Sequence, residues 1–446
     1  MKLPPGPRGH FVAGNLRDLR LRVLDFISGL RNEYGDVVII RFAFRKVFYV
    51  QHPDLIRHVL QENYRNYTKS LRYEQFKYLL GNGLLTSEGD FWLRQRRLIQ
   101  PAFHKDRLRA LGEDMINCTE DMIRRWEAAG NSIKLNVAGE MMFLTLQIVA
   151  KTLLSANVGA STAIVGRSLS YLLHSVNRRT RTPILLPIWI PTPGHIRIKK
   201  AVKAINEVLE QVFSEHLQPR KGRYDLLDML METRYEDTGE PMSRQQLRDE
   251  VMTLFVAGHE TTANALSWTL YLLSQHEPVR IKCVEEITAV CDHRPVASEQ
   301  MHQLRYLTAV IEESMRLYPP AWMVGRRAIN TDRLGDWEIP AGFNLLISPY
   351  AIHRDARYWP NPDKFQPERF LNEAAERPRY AYMPFGGGPR MCIGNNFAMM
   401  EMTLVLATLL CKYKPLYHEN TPPVAEPLIT LRPRGELNLT MERIVN

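Results

Sequence analysis

The apolar positions change their period along the chain. Val37-Val38-Ile39-Ile40 and Val47-Phe48-Tyr49-Val50 are short runs of β-branched and aromatic residues separated by a short basic turn. Runs of that length and spacing predict a strand pair over residues 35–51. From Pro53 onward, apolar residues recur every three to four positions. That spacing predicts long helices over roughly 107–129, 138–154, 201–217, 245–275, 278–290 and 304–317. Strand-like pieces return at 326–329, 337–339, 344–348 and 438–441. The expected fold class is mainly α with small β regions. Length alone suggests two or three domains. With no repeat and no composition shift to mark a linker, residues 1–446 read as a single domain.

Two stretches break the helical pattern. Residues 73–91 contain Leu79-Leu80-Gly81-Asn82-Gly83-Leu84-Leu85, apolar and interrupted by glycine. Residues 181–195 contain Pro183, Pro187 and Pro191 among apolar neighbours, which excludes a long helix. Each is a loop packed on the core, a lid over an apolar pocket or a membrane-touching tip, and the family resemblance given below favours the lid.

Composition narrows the class. Hydrophobic residues make up 45% and charged residues 24%, as in an ordinary globular protein, and 446 residues can bury a core large enough to enclose a cofactor. The five cysteines are an odd number, scattered, and without Cys-x-x-Cys spacing. That argues against a disulfide framework and a structural zinc site, and for a reducing compartment. No run of about 18 apolar residues is evident, so no membrane span is expected. Met1 to Pro7 is not a secretory signal. The expected location is cytoplasmic, or membrane-associated if an anchor once preceded Met1. The net charge of +10 is dispersed and comes with no nucleic-acid module. It suits a solvated surface or a basic face for an acidic protein.

The chemistry concentrates in Phe385-Gly386-Gly387-Gly388-Pro389-Arg390-Met391-Cys392-Ile393-Gly394. Glycines let a backbone pass close to a flat group and take positive φ. Residues 395–410 have helical periodicity, so Cys392 lies just before a helix N-terminus, where backbone N–H groups favour a sulfur anion. A thiolate is a soft, donating metal ligand. A buried cysteine in a glycine-rich turn would give the same spelling. The pattern resembles the haem-binding signature of the cytochrome P-450 family, matched at Phe385, Gly388, Arg390, Cys392 and Gly394.

That resemblance implies a triangular, mainly helical P-450 fold enclosing haem b, with Cys392 on the iron. Four further matches follow in order. Glu260 and Thr261, within Ala257-Gly258-His259-Glu260-Thr261-Thr262, resemble the family's acid–alcohol pair for proton delivery. Gly258 would let that helix pass close to something flat. His259 reads as a satisfied histidine, not a ligand. Glu313 and Arg316 share a helix face, and the resemblance adds Arg369 to make a buried triad that retains haem. Trp92 and Arg96, one turn apart, resemble ligands of the haem propionates, together with Arg390 and Arg326, preferred over Arg327 on spacing. Leu84, Phe255, Ala257, Ala321, Val324 and Thr430 fall in substrate-facing regions of the family.

The implied reaction inserts one oxygen atom from O2 into an apolar substrate, a fatty acid, steroid or terpenoid. The cysteine loop resembles fatty-acid-hydroxylating branches, which places long-chain fatty acids first. The expected source of electrons is NAD(P)H through a separate ferredoxin- or flavodoxin-type donor and its reductase, because little chain follows the last β pieces. Arg94, Arg97, Arg354 and Arg357 are the expected docking patch, on a monomer. Two other readings stand beside this one. The first is a haem-thiolate isomerase or peroxygenase. The second is a haem sensor or carrier, which would need no proton relay.

Overall fold

Strands Val37–Phe42 and Arg45–Val50 pair antiparallel, with Val37 opposite Val50 and Phe42 opposite Arg45. In the computed structural model, which describes residues 3–155, 160–181, 186–216, 225–292, 296–371 and 377–444, they belong to a five-stranded sheet. The remaining strands follow in the order Asn344–Ile347, Val324–Ala328, Tyr67–Lys69. Arg45–Val50 runs parallel to Asn344–Ile347, and the other pairs are antiparallel. Ile39, Phe48 and Leu345 are buried in one cluster, while Ile40, Tyr49 and Leu346 are buried in another. Both faces are therefore covered, which is why these strands read as continuous apolar runs and not as alternation.

The residues group into two compact units. The first comprises residues 1–71, 305–395 and 424–434 and contains this sheet, helix Arg305–Leu317 and the cysteine loop. It also holds two ribbons, Asp332–Leu334 with Trp337–Ile339 and Ala425–Pro427 with Leu431–Pro433.

The second unit comprises residues 72–304, 396–423 and 435–446 and is built on helices. Helix Arg244–Gln275 is buried along most of its length and packs on Val137–Leu154. Helix Asn395–Leu410 is buried nearly all round, which explains its weak amphipathic pattern. Strands Ser132–Asn136, Asn438–Arg443 and Tyr413–Leu416 form a small antiparallel sheet. Val137–Leu154 is long and apolar enough to cross a membrane by composition alone, and most of it is buried as a core helix.

Several expected boundaries move for local reasons. The helix expected over 107–129 is split into Lys105–Arg109 and Gly112–Glu127. A Cβ at Gly112 would lie 2.5 Å from the Cβ of Ser298, so the second helix starts at a point of close packing. The helix expected over 201–217 begins earlier, as Pro193–His216, because proline is well suited to a first helical position. Residue 217 and residues 182–185 of the proline-rich stretch lie outside the described residues. Helix Ala160–Arg181 has no counterpart in the sequence reading, its apolar stripe being diluted by serine, threonine and glycine.

Candidate active site

The backbone N–H of Cys392 donates to Phe385 O at 2.9 Å and closes the cysteine loop. Gly386 and Gly388 have φ of +76° and +68°. A Cβ on Gly388 would meet Leu60 O at 1.8 Å, and one on Gly387 would meet the Tyr380 ring at 2.3 Å. The Tyr380 hydroxyl donates to Gln61 Oε1 at 2.8 Å, so that wall is itself fixed. The loop can follow this path only without side chains at those positions, and it ends with Cys392 exposed. Of the other four, Cys118, Cys283 and Cys291 are buried, and Cys411 is exposed as a residue with its thiol partly covered. Burial pushes the thiols of Cys118 and Cys283 up to about 12, raises that of Cys291, and pushes that of Cys411 up to about 11. At neutral pH those four stay protonated and are poor metal ligands.

A buried ionic network anchors the approach to this loop. Arg316 Nε and Nη2 donate to the two Glu313 carboxylate oxygens at 2.7 and 2.9 Å. Arg316 also donates to the carbonyls of His353, Pro362 and Lys364. Arg369 Nε is 3.4 Å from Glu313 Oε1, an ion pair without hydrogen-bond alignment, while its Nη2 donates to Asn361 O and Gln366 Oε1. The structure thus brings Glu313, Arg316 and Arg369 together. His353 extends the network. Its Nε2 accepts from Met383 N at 2.8 Å, two residues before Phe385, and burial pushes its imidazole down to about 3.

In the second unit, Ala257 is exposed and Leu254 and Thr261 are half-buried in a helix whose other faces are covered. These positions, three to four residues apart, make one open stripe. The Thr261 hydroxyl donates to Ala257 O at 2.6 Å, a back-bond that loosens the turn. Glu260 is buried. Gly258, half-buried, lies on the same stripe, four residues from Leu254 and three from Thr261. A Cβ there would come within 3.1 Å of Val149 Cγ2, so the glycine also lets two helices pack closely. His259 is buried and donates through Nε2 to Met142 O at 3.1 Å, and burial pushes it down to about 4. It is neutral and bolted to the neighbouring helix.

Trp92 is buried and Arg96 half-buried, one turn apart on helix Gly89–Ile99. In the first unit, Arg326 is buried and donates to Gly325 O at 3.0 Å, whereas Arg327 donates to Gly342 O at 3.1 Å. Arg390 ends the short turn Gly388–Arg390. Of the substrate-facing candidates, Leu84, Phe255 and Thr430 are buried, Val324 is half-buried, and Ala257 and Ala321 are exposed.

The docking patch is not made of free cations. Arg94 pairs with Asp237 at 2.8 Å and stacks on Tyr235. Arg357 binds both Asp355 and Asp36 at 2.7 Å. Arg354 is largely buried over the Tyr350 ring. Only Arg97 keeps an exposed charge without such a committed pair among these four. Nor is the 79–85 loop loosely attached. Asn82 N and Leu84 N donate to the carboxylates of Asp249 and Glu250, each at 2.8 Å. Asp249, Glu250 and His353 were not singled out from the sequence. The glycines at 81 and 83 are the signal for Asp249, since a Cβ at 81 would collide with its carboxylate and one at 83 with its carbonyl and with Thr253 Oγ1.

The family model described as Cytochrome P450 matches residues 4–440. The chain is 34% identical over 438 residues to Cyclooctatin synthase of Streptomyces melanosporofaciens, covering 97% of this chain and 93% of that protein. It is 32% identical over 405 residues to Cyclooctat-9-en-7-ol 5-monooxygenase of the same organism, with coverage of 90% and 87%. Pentalenene oxygenase of Streptomyces avermitilis is 31% identical over 406 residues, with coverage of 90% and 89%. The cysteine loop thus lies within a match that runs almost end to end, and the chain belongs to the cytochrome P450 family, as a haem-thiolate monooxygenase that takes electrons from NAD(P)H through redox partners.

Proposed function

We propose that Cys392 is the thiolate ligand of haem b and that the substrate is a terpenoid. The observation carrying the first half is the exposed Cys392 at the end of a loop stripped of side chains, whereas desolvation keeps the other four thiols protonated. The residues fit a flat macrocycle in other respects. The loop offers bare backbone at residues 386–388, and the helix Arg244–Gln275 offers a small-residue stripe at Ala257 and Thr261. When bound, haem b supplies the centre that activates O2 for insertion into a C–H bond or alkene.

The chain's own residues bind, orient and move protons. Trp92, Arg96, Arg390 and Arg326 are proposed to hold the propionates, an indole N–H and guanidinium groups being suited to carboxylates. Thr261 holds a proton at Oγ1, and Glu260 is the acid that replenishes it. Glu313, Arg316 and Arg369 fix the approach to the cysteine loop. Leu84, Phe255, Ala257, Ala321, Val324 and Thr430 are proposed to contact substrate, and their aliphatic and aromatic character suits an apolar molecule.

The names of three relatives move the substrate class from fatty acids to terpenoids, since one is named a cyclooctat-9-en-7-ol monooxygenase, one a pentalenene oxygenase and one a cyclooctatin synthase. Both units are read as one catalytic domain, because one family model spans them. A cytoplasmic monomer served by an acidic ferredoxin- or flavodoxin-type donor completes the reading. A spectral titration of the holoenzyme tests the substrate. Cyclic terpenoid alkenes should displace water from the iron and raise its spin state at lower concentration than long-chain fatty acids. The reverse order would overturn the terpenoid assignment.

A further inference from the structure

The tip of the first unit carries two aromatic rings that no core claims. Phe11 is 96% and Phe44 84% exposed, and Val12 beside Phe11 is also exposed. Single exposed apolar residues need no explanation. Here they stand on neighbouring turns. His10 and Gly14 exchange backbone hydrogen bonds of 2.8 Å, which leaves Phe11, Val12 and Ala13 as the turn between them. Ala43-Phe44 is the two-residue connection of the hairpin Val37–Phe42 and Arg45–Val50. Ala43 N donates to Ala13 O at 3.1 Å, Asn15 N donates to Arg41 O at 2.7 Å, and Arg41 N donates to Asn15 Oδ1 at 2.9 Å. The two turns are therefore fixed side by side. Ala43 has φ of +51°, and so short a connection has no slack to fold the Phe44 ring back onto the sheet.

The surroundings are cationic. Residues 8–22 and 41–46 contain Arg8, Arg17, Arg20, Arg41, Arg45 and Lys46, all exposed, besides Arg22. The single carboxylate in these segments, Asp18, is bonded to Arg22 at 2.8 Å. A projecting pair of aromatic tips ringed by positive charge is complementary to an anionic phospholipid surface. The rings enter the headgroup–acyl boundary while the cations meet lipid phosphates. A protein interface would instead favour a broad patch with a depleted charge at its centre.

We propose that Phe11 and Phe44, with the basic residues around them, form a peripheral docking site for anionic membranes. The site needs no membrane-spanning helix and is independent of the haem assignments.

Co-sedimentation of the holoenzyme with vesicles tests it. The protein should bind vesicles of mixed phosphatidylcholine and phosphatidylglycerol, and bind pure phosphatidylcholine far less. Phe11→Ser with Phe44→Ser should weaken partition by about tenfold or more, with unchanged circular dichroism and haem spectrum. Arg45→Glu with Lys46→Glu should weaken it and flatten its salt dependence. In a Phe44→Trp variant, tryptophan emission should shift to the blue on mixed vesicles and be quenched by brominated lipid. No binding to mixed vesicles, or binding unchanged in the double phenylalanine variant, would overturn the proposal. So would an absence of vesicle binding combined with slower reduction by an acidic redox protein in the same variant, which would assign the tip to a protein partner.

Discussion

Glu313 and Arg316 meet through hydrogen bonds of 2.7 and 2.9 Å with both residues at 0% exposure. The guanidinium has three further carbonyl partners, so the pair is satisfied on all sides. Removing one member leaves a charge buried without its complement. Arg316→Ala should cost about 3–5 kcal/mol, read by urea unfolding, and should release haem at lower denaturant than wild type. Arg316→Lys should rescue little, because a single ammonium cannot form the paired fork and reach three carbonyls. Full rescue by lysine would show that charge alone matters.

Gly388→Ala and Gly386→Ala should behave differently although both residues have positive φ. A Cβ on Gly388 meets Leu60 O at 1.8 Å, whereas one on Gly386 meets nothing within 4 Å. The Gly386 change should cost only the backbone strain, about 1–2 kcal/mol. The Gly388 change must also displace the loop. Haem content of the purified variants checks this, with Gly388→Ala losing most of it and Gly386→Ala retaining it. Equal retention would contradict the packing account.

Acid should loosen the loop's support. His353 is held neutral, its protonation pushed down to about 3 by burial and by the Arg316 charge. An unfolded histidine takes a proton near pH 6.5. Below that pH the unfolded state binds a proton that the folded state refuses, so stability is full above about 6.5 and falls as pH drops toward 3. The loss is about 1.4 kcal/mol per pH unit across the window. His259, pushed down to about 4, adds a loss of the same sign. Unfolding at successive pH values checks it, and His353→Gln should flatten the slope.

Glu401 carries the opposite sign. It is fully buried, the nearby Thr262 hydroxyl is not aligned for a hydrogen bond and offsets the burial only in part, and burial raises its carboxyl well above the usual range. Above the unfolded carboxylate range near pH 4.5, keeping it protonated costs stability that grows with pH. Glu401→Gln should therefore stabilise the protein at pH 7.5, with the gain disappearing near pH 4. A variant less stable at pH 7.5 would mean that the carboxylate has a stabilising partner.

Thr261→Ala should leave the fold intact, since the hydroxyl bonds only within its own helix turn, to Ala257 O. It should uncouple NAD(P)H consumption from product, more peroxide forming per electron pair, if Thr261 delivers protons. Unchanged coupling would mean that another group delivers the protons.

Much of this was legible in the residues. Continuous apolar runs marked the strand pair, and helix Asn395–Leu410 spans the residues expected to be helical. Glu313, Arg316 and Arg369 come together although 56 positions separate the first from the last. What could not be read was tertiary. Nothing local says that Arg94 would spend its charge on Asp237, or that Gly258 faces Val149. His353 carries no spacing at all, because its partner Met383 is set by how two loops meet.

The thiolate assignment is the centre of the account. The reduced holoenzyme under carbon monoxide should show the red-shifted Soret band of thiolate ligation, and Cys392→Ser should abolish that band while substitution of Cys118, Cys283, Cys291 or Cys411 leaves it in place. A band typical of histidine ligation, or a red-shifted band that survives in Cys392→Ser, would contradict it.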